Sequence, residues 1–281
     1  MSYKKDISDY YEQTRDHYKY WWKLDQGMAL HYGIWEKDTK NFVEALANTN
    51  IKMAELAKVK KGDIVLDAGC GVGGSAIFLA KEHGAKSYGI TLNERQKSEA
   101  TANALKHNVE QRTNFSVQDY LNTNFEDETF DVVWGCESVN SSPDKEAFLK
   151  EASRILKPGG RVIVTDYFMP NSINRLDHKV LLDWETAWAL GPICTEQEFI
   201  DYGENHQLKL ESNTDFTNQI MPTVKWMYRT YWYGLIPSEI YNLFHPKVSR
   251  YARHHYRSGY YQYKSLKKGL WRYRTLVMQK A

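Results

Sequence analysis

The chain has 281 residues, 42% of them apolar and 26% charged, with a net charge of +2. This is the balance of an ordinary soluble globular protein with a sizeable core. The start, MSYKKDISDYYEQ, carries no apolar signal core, no later apolar run is long enough to span a bilayer, and three distant cysteines show no metal-ligand spacing. A reduced, cytoplasmic protein without disulfides or a metal site is expected.

Two helical segments, 5–24 and 39–58, come first. DIVLDAG (63–69) is a short apolar strand running into glycines, and GGSAIFLAKEHG (73–84) follows with helical spacing and a glycine stop. KSYGITL (86–92) is the second strand. NERQKSEATANALKHN (93–108) is a polar-faced helix with Asn93 as N-cap. TNFSVQD (113–119) and FDVVWG (130–135) are the third and fourth strands. DKEAFLKEASRIL (144–156) is a helix, KPGG (157–160) a turn and RVIVTDYF (161–168) the fifth strand. Strands alternating with helices predict a parallel sheet covered on both faces. Ligands of such sheets bind beyond the carboxyl ends of the strands, where strand order reverses.

The alternation then breaks. Residues 170–194 read as a helical insertion, 195–206 as a helix opened by a capping box of Thr195 and Glu198, and 208–216 as a strand. A second, largely helical insertion covers 218–268, and 270–280 closes the chain as a strand. No repeat or linker divides it, so one domain spans 1–281, with a helical cap over 1–60 and the sheet core over 61–168. Residues 218–281 hold twelve Lys or Arg and one acid, Glu239, a net of +11, which leaves −9 for residues 1–217. A basic, aromatic-rich segment on an acidic body suits an anionic partner: a phosphorylated substrate, an anionic membrane surface or nucleic acid, or else only solvated charge.

The chemistry concentrates at strand ends. VLDAGCGVGG places Asp67, Gly69, Cys70 and Gly71 at the first strand-to-helix turn, where glycines admit a ligand close to the backbone and the helix start offers free N–H groups. The second strand ends in ITLNERQ, without an acid at its tip to grip a dinucleotide ribose. The fourth strand delivers Cys136 and Glu137 to the same edge.

In order and spacing, VLDAGCGVGG, VQDY and ILKPGG resemble class I S-adenosylmethionine-dependent methyltransferases. GITLNERQ, ESVNSSPDKEAFLKE, LHYGIW and YKSLKKGLWRYRTLVMQK are similar to the tocopherol, sterol and cyclopropane-fatty-acid subgroup. The resemblance implies an α/β, Rossmann-like, doubly wound and mostly parallel sheet with a C-terminal antiparallel strand, N-terminal helices and helical lid insertions. It implies S-adenosylmethionine as cofactor. Gly69 and Gly71, with Cys70 between them, would line its methionine part, and Asp67 would hold the turn and the amine. Thr91, Leu92 and Gln96 would sit beside the ribose and adenine, and Asp119 would accept the adenine amine with Gln118 and Tyr120 nearby. Cys136 would offer backbone contacts, and His31 and Tyr32 would close over the cofactor. Alternatively Asn93 and Gln96 are only a helix-capping pair and Asp119 a turn former. Several relatives carry a histidine roughly where Ser141 stands.

The acceptor follows from physical argument. A carbon acceptor passes through a cation that aromatic faces stabilise and that then loses a proton to a base. Glu137 is the candidate for that role. Trp184, Trp188, Trp226 and Tyr231 are candidates for an aromatic acceptor pocket or for core packing, and Arg250, Arg253 and Arg257 share a helical face suited to an anionic group. The expected reaction is methyl transfer to a small hydrophobic acceptor, at carbon of a prenyl or terpenoid chain. An N- or O-methyltransferase of a small amine or phenol and a non-catalytic cofactor-binding module are the alternatives. No nucleic-acid motif is present, and the basic segment leaves peripheral membrane contact open.

Overall fold

Among the described residues, seven strands form one sheet in the order β3-β2-β1-β4-β5-β7-β6. The computed structural model describes residues 3–247 and 250–281; the side chains of residues 16, 17, 20, 250 and 252 lie outside the description. Helices α1 (Tyr3–Trp21), α2 (Leu24–Gly27) and α3 (Phe42–Leu56) precede the sheet. The alternating part runs β1 (Ile64–Ala68), α4 (Gly74–Glu82), β2 (Lys86–Thr91), α5 (Glu94–Lys106), β3 (Thr113–Val117), β4 (Phe130–Cys136), α6 (Lys145–Ile155) and β5 (Leu156–Phe168). Then come α7 (Lys179–Trp188), α8 (Glu196–Asn205), β6 (Leu208–Asp215), α9 (Met221–Phe244), α10 (Arg250–His254), α11 (Ser258–Lys267) and β7 (Arg272–Lys280).

Strands β1 to β5 pair in parallel, and β7 lies antiparallel between β5 and β6. The Rossmann-like sheet with its antiparallel C-terminal strand therefore stands as expected. The centre of β1 and β4 is buried because helices cover both faces. Side-chain caps set the helix starts: Asn93 accepts from the Gln96 N–H, and Thr195 and Glu198 form the capping box. The KPGG stretch departs from the predicted turn. It is drawn into β5 as an irregularity in which Phe130 pairs with Leu156 but Val132 pairs with Arg161, and Gly159 takes a φ of 75° to accommodate the extra residues.

Strand order reverses between β1 and β4, whose paired residues include Asp67 and Trp134. The loops leaving these two strands consequently flank one crevice. Beside it lies the largest apolar cluster, rich in aromatics: Tyr32, Tyr167, Trp184, Trp188, Trp271 and Tyr273 are all buried in it. Much of the high aromatic content packs there. Among the described residues, no helix is long and apolar enough to cross a membrane.

Candidate active site

The crevice opens into a cleft of about 820 Å³, its mouth included, bounded by the loops after β1, β2, β3 and β4 and by α1. After β1 the backbone turns through Gly69 and Gly71, both with positive φ (94° and 51°). A Cβ on Gly69 would lie 2.5 Å from the Ser138 Cβ, so only glycine lets the β1 and β4 loops approach this closely. Ser138 fastens the approach by donating to the Ala68 carbonyl at 2.5 Å. The amides of Gly69 and Cys70 both donate to the Ile90 carbonyl, which ties the β1 turn to the end of β2.

Asp67 is 3% exposed, and its Oδ2 has no hydrogen-bond partner although the residue lines the cleft. Burial pushes its pKa up to about 7, against a smaller pull from the Ala76 amide. A buried carboxylate oxygen with an open valence suits a cationic ligand group. His31 also lines the cleft. Its Nδ1 bonds the Tyr32 carbonyl, its Nε2 has no partner, and burial lowers its pKa to about 4, so it is a neutral imidazole.

On the β2 and β3 side, Thr91 donates to Gln96 Oε1 at 2.8 Å, and Thr91, Leu92, Gln96, Gln118 and Tyr120 all line the cleft. Tyr120 donates to the Ser138 carbonyl and so links the β3 end to the β4 loop. Asp119 does not line the cleft. Its Oδ2 receives the Tyr3 hydroxyl at 2.5 Å and Lys4 Nζ at 2.8 Å from α1. Burial raises the Asp119 pKa, but the bonds from Lys4, Tyr3 and the Leu121 amide outweigh it and hold the carboxyl below its usual range. Helix α1 supplies Ile7, Ser8 and Tyr11 to the cleft wall.

Cys136 and Glu137 arrive on the end of β4. Glu137 is 8% exposed and holds a φ of 48°, unusual for a residue with a side chain. Its Oε1 accepts the Tyr32 amide at 2.5 Å and the Tyr273 hydroxyl at 2.6 Å, while its own amide donates to the Thr165 carbonyl. Burial drives its pKa well above the usual glutamate value, against the pull of Tyr273 and Tyr32 and with a further push from Asp166. Asp166 itself is pushed up to about 6 by burial, although Asn140 binds both of its oxygens.

Tyr32 contributes its amide to Glu137 but stands behind the cleft wall, with its hydroxyl on Gln262 and its ring against Trp188 and Trp271. Trp184 is fully buried between Tyr167 and Trp271, and neither the Trp184 nor the Trp188 indole N–H has an acceptor. Trp188 thus adjoins Tyr32, one of the two residues bonded to Glu137, while Trp184 lies behind it against Trp188 and Trp271, and neither lines the cleft. Trp226 lies elsewhere, packed on Trp22 and Phe42, and Tyr231 stacks on Tyr256. Arg253 donates to the His245 and Pro246 carbonyls, and Arg257 pairs with Glu239 and Tyr256. Both cations are engaged within the chain, and the Arg250 side chain lies outside the described residues. Ser138, Ser141, Tyr11 and Tyr273 also belong to the site, and local sequence patterning gives none of them a role. Only the loop composition after FDVVWG hinted at the two serines. Among the described residues no group of three His, Cys, Asp or Glu could hold a metal.

Comparison with known proteins agrees with this geometry. The methyltransferase domain family matches residues 66–164. The 27-O-demethylrifamycin SV methyltransferase of Amycolatopsis mediterranei is 34% identical over 202 residues, 71% of this chain and 74% of that protein. The chloroplastic tocopherol O-methyltransferase of Arabidopsis thaliana is 28% identical over 258 residues, 83% of this chain and 72% of that one. A solved geranyl diphosphate methyltransferase superposes with a TM-score of 0.80 at 19% identity, covering all of both chains, which shows a shared fold. The chain belongs to the class I S-adenosylmethionine-dependent methyltransferases. It is an enzyme of small-molecule methyl transfer, with S-adenosylmethionine as its cofactor.

Proposed function

We propose that the acceptor is a small hydrophobic molecule of the prenyl or terpenoid class, methylated at carbon. The observation that carries this reading is the buried Glu137 carboxyl at the end of β4, bonded to Tyr273 and backed by an aromatic layer. Aromatic faces lower the energy of a nearby carbocation, and a carboxylate both stabilises it and removes the proton that follows.

The cleft residues fit the cofactor. Gly69 and Gly71, with Cys70, give backbone approach to its methionine part, and the open valence of Asp67 takes the ammonium. Thr91, Leu92 and Gln96 serve the ribose and adenine, with Gln118, Tyr120 and, once α1 yields it, Asp119 at the adenine amine. Cys136 contributes backbone, and His31 closes the wall with Tyr32 behind it. When bound, S-adenosylmethionine supplies an electrophilic methyl on a positively charged sulfur. Burial pushes the Glu137 carboxyl toward its protonated form, and a positive charge beside it pulls it back toward the carboxylate. A cation in the cleft therefore favours the ionised form of Glu137, the form that can accept a proton. Tyr273 and the Tyr32 amide fix the carboxyl's direction, and α1 excludes water from above.

O-methylation of a phenol or alcohol is the second reading, favoured by the names of the two relatives above. The acceptor-side parts would be the insertions 170–194 and 218–268. The deciding experiment supplies labelled S-adenosylmethionine with prenyl diphosphates, phenols and a lipid extract, then locates the label by mass spectrometry. A label on carbon of an isoprenoid supports the proposal. A label only on oxygen replaces it with the second reading.

A further inference from the structure

The second half of α9 reverses the usual pattern of a surface helix. Among the described residues thirteen large hydrophobics are markedly exposed, and seven of them fall between 232 and 244. The other six are scattered along the chain, as single exposed apolar residues ordinarily are. Trp232, Tyr233, Ile236, Ile240, Leu243 and Phe244 are 53–77% exposed. At about 100° per residue these six lie within an arc of roughly 120° on one helix face. The inward face of α9 is carried by Val224, Met227 and Asn242, all buried. The solvent-facing stripe is thus the more continuous apolar surface.

Charge specifies the occupant. Lys225 and Arg229 fall on the same exposed face about two turns and one turn before Trp232, and His245 and Lys247 are exposed just beyond Phe244. The only acid of residues 218–281, Glu239, is already paired with Arg257 and Tyr256. An apolar stripe with basic residues at both ends, and Trp and Tyr among its members, is the composition of a helix that lies in a membrane interface. A second copy of the chain fits less well. Any two-fold arrangement through this face sets one basic end against another, because both ends carry the same sign. Nucleic acid fits less well too, since Ile236, Ile240 and Leu243 offer neither stacking nor hydrogen bonds.

We propose that the exposed face of α9, from Lys225 to Lys247, docks the enzyme on an anionic lipid surface, with Trp232, Ile236, Ile240 and Phe244 entering the headgroup–acyl boundary and the flanking cations contacting lipid phosphates. This docking does not depend on which acceptor is methylated. The test is flotation of the full-length protein with phosphatidylcholine vesicles with or without about one third phosphatidylglycerol. Wild type should float with the anionic vesicles and be released by high salt. Ile236→Asp/Phe244→Asp should cut the bound fraction roughly tenfold. Lys225→Glu/Arg229→Glu should abolish the preference for anionic lipid. Both pairs are on the surface, and unchanged near-ultraviolet circular dichroism and S-adenosylmethionine affinity would confirm that they fold. Three results overturn the proposal: no flotation of wild type, a dimer in light scattering that Ile236→Asp/Phe244→Asp dissolves without any vesicle binding, or binding to single-stranded RNA in place of vesicles.

Discussion

The Tyr273 hydroxyl on β7 donates at 2.6 Å to Oε1 of Glu137, the residue just past β4, inside a layer of buried aromatic rings. The two residues are 136 positions apart, and antiparallel insertion of β7 beside β5 brings them together. This bond holds the carboxyl in one direction and favours its ionised form. Glu137→Gln should therefore lower kcat by roughly 10²–10⁴-fold, the range for a positioned acid–base group, with cofactor affinity nearly unchanged. Tyr273→Phe should lower kcat by less and move the acidic limb of the kcat–pH profile to higher pH, because burial then acts on Glu137 with one opposing bond fewer. A Gln variant with turnover within a few-fold of wild type would remove Glu137 from the chemistry.

Asp67 gives a pH dependence with a definite sign. In the folded protein it holds its proton up to about pH 7, against 3.8 as the ordinary value. Between those limits the native state binds more protons than the unfolded one, so this group's contribution to stability falls as pH rises. Cofactor affinity should run the opposite way. An ammonium needs the carboxylate, so affinity should rise roughly tenfold per pH unit up to about pH 7 and then level off. Calorimetric titration across that range checks it. Asp67→Asn should bind more weakly and with a flat profile, and a wild-type profile that is already flat would contradict the role.

Helix α1 is tied over the cleft by Tyr3 and Lys4 on Asp119, and by Arg15 with Glu99 and Arg95 with Glu12. Ion pairs as exposed as Arg95 with Glu12 add little to stability. The Asp119 side chain is only 10% exposed, so Tyr3→Phe/Lys4→Ala should lower the melting temperature by a few degrees. It should also speed cofactor release roughly tenfold by loosening the cover. Stopped-flow displacement of bound S-adenosylmethionine measures this. Unchanged release would mean that α1 stays closed without these two bonds.

These relationships divide by sequence separation. The Gly69–Gly71 turn, the Asn93 cap and the delivery of Glu137 to the sheet edge are legible because local patterning sets them. An apolar run ending in a carboxylate points to an edge whatever packs against it. The partners of Glu137 and Asp119 are not legible. Tyr273 reaches Glu137 only through the register of β7, and Tyr3 reaches Asp119 across 116 positions. Aromatic density in residues 226–263 is plain in the sequence, but which way each ring faces is not. Tyr233 is 77% exposed while Tyr251, on the next helix, is 5% exposed. Arg253 and Arg257 share a basic stretch in the sequence, whereas in the fold each spends its guanidinium on neighbouring groups of the same chain.

Gly69 offers the sharpest separation of backbone from side-chain effects. Its φ of 94° costs a residue with a Cβ about 1–3 kcal/mol. The added Cβ would also meet the Ser138 Cβ at 2.5 Å, which forces the β1 and β4 loops apart. Gly69→Ala should therefore lower the melting temperature by several degrees and weaken S-adenosylmethionine binding by at least about tenfold. Ser138→Gly in the same chain removes the clash, though it also removes the bond from Ser138 to the Ala68 carbonyl. The double variant should recover part of the cofactor affinity but little of the melting temperature, since the backbone strain remains. Thermal denaturation and calorimetry on wild type, both single variants and the double variant close the cycle. Wild-type affinity in Gly69→Ala alone would show that the cofactor does not depend on the close approach of these two loops.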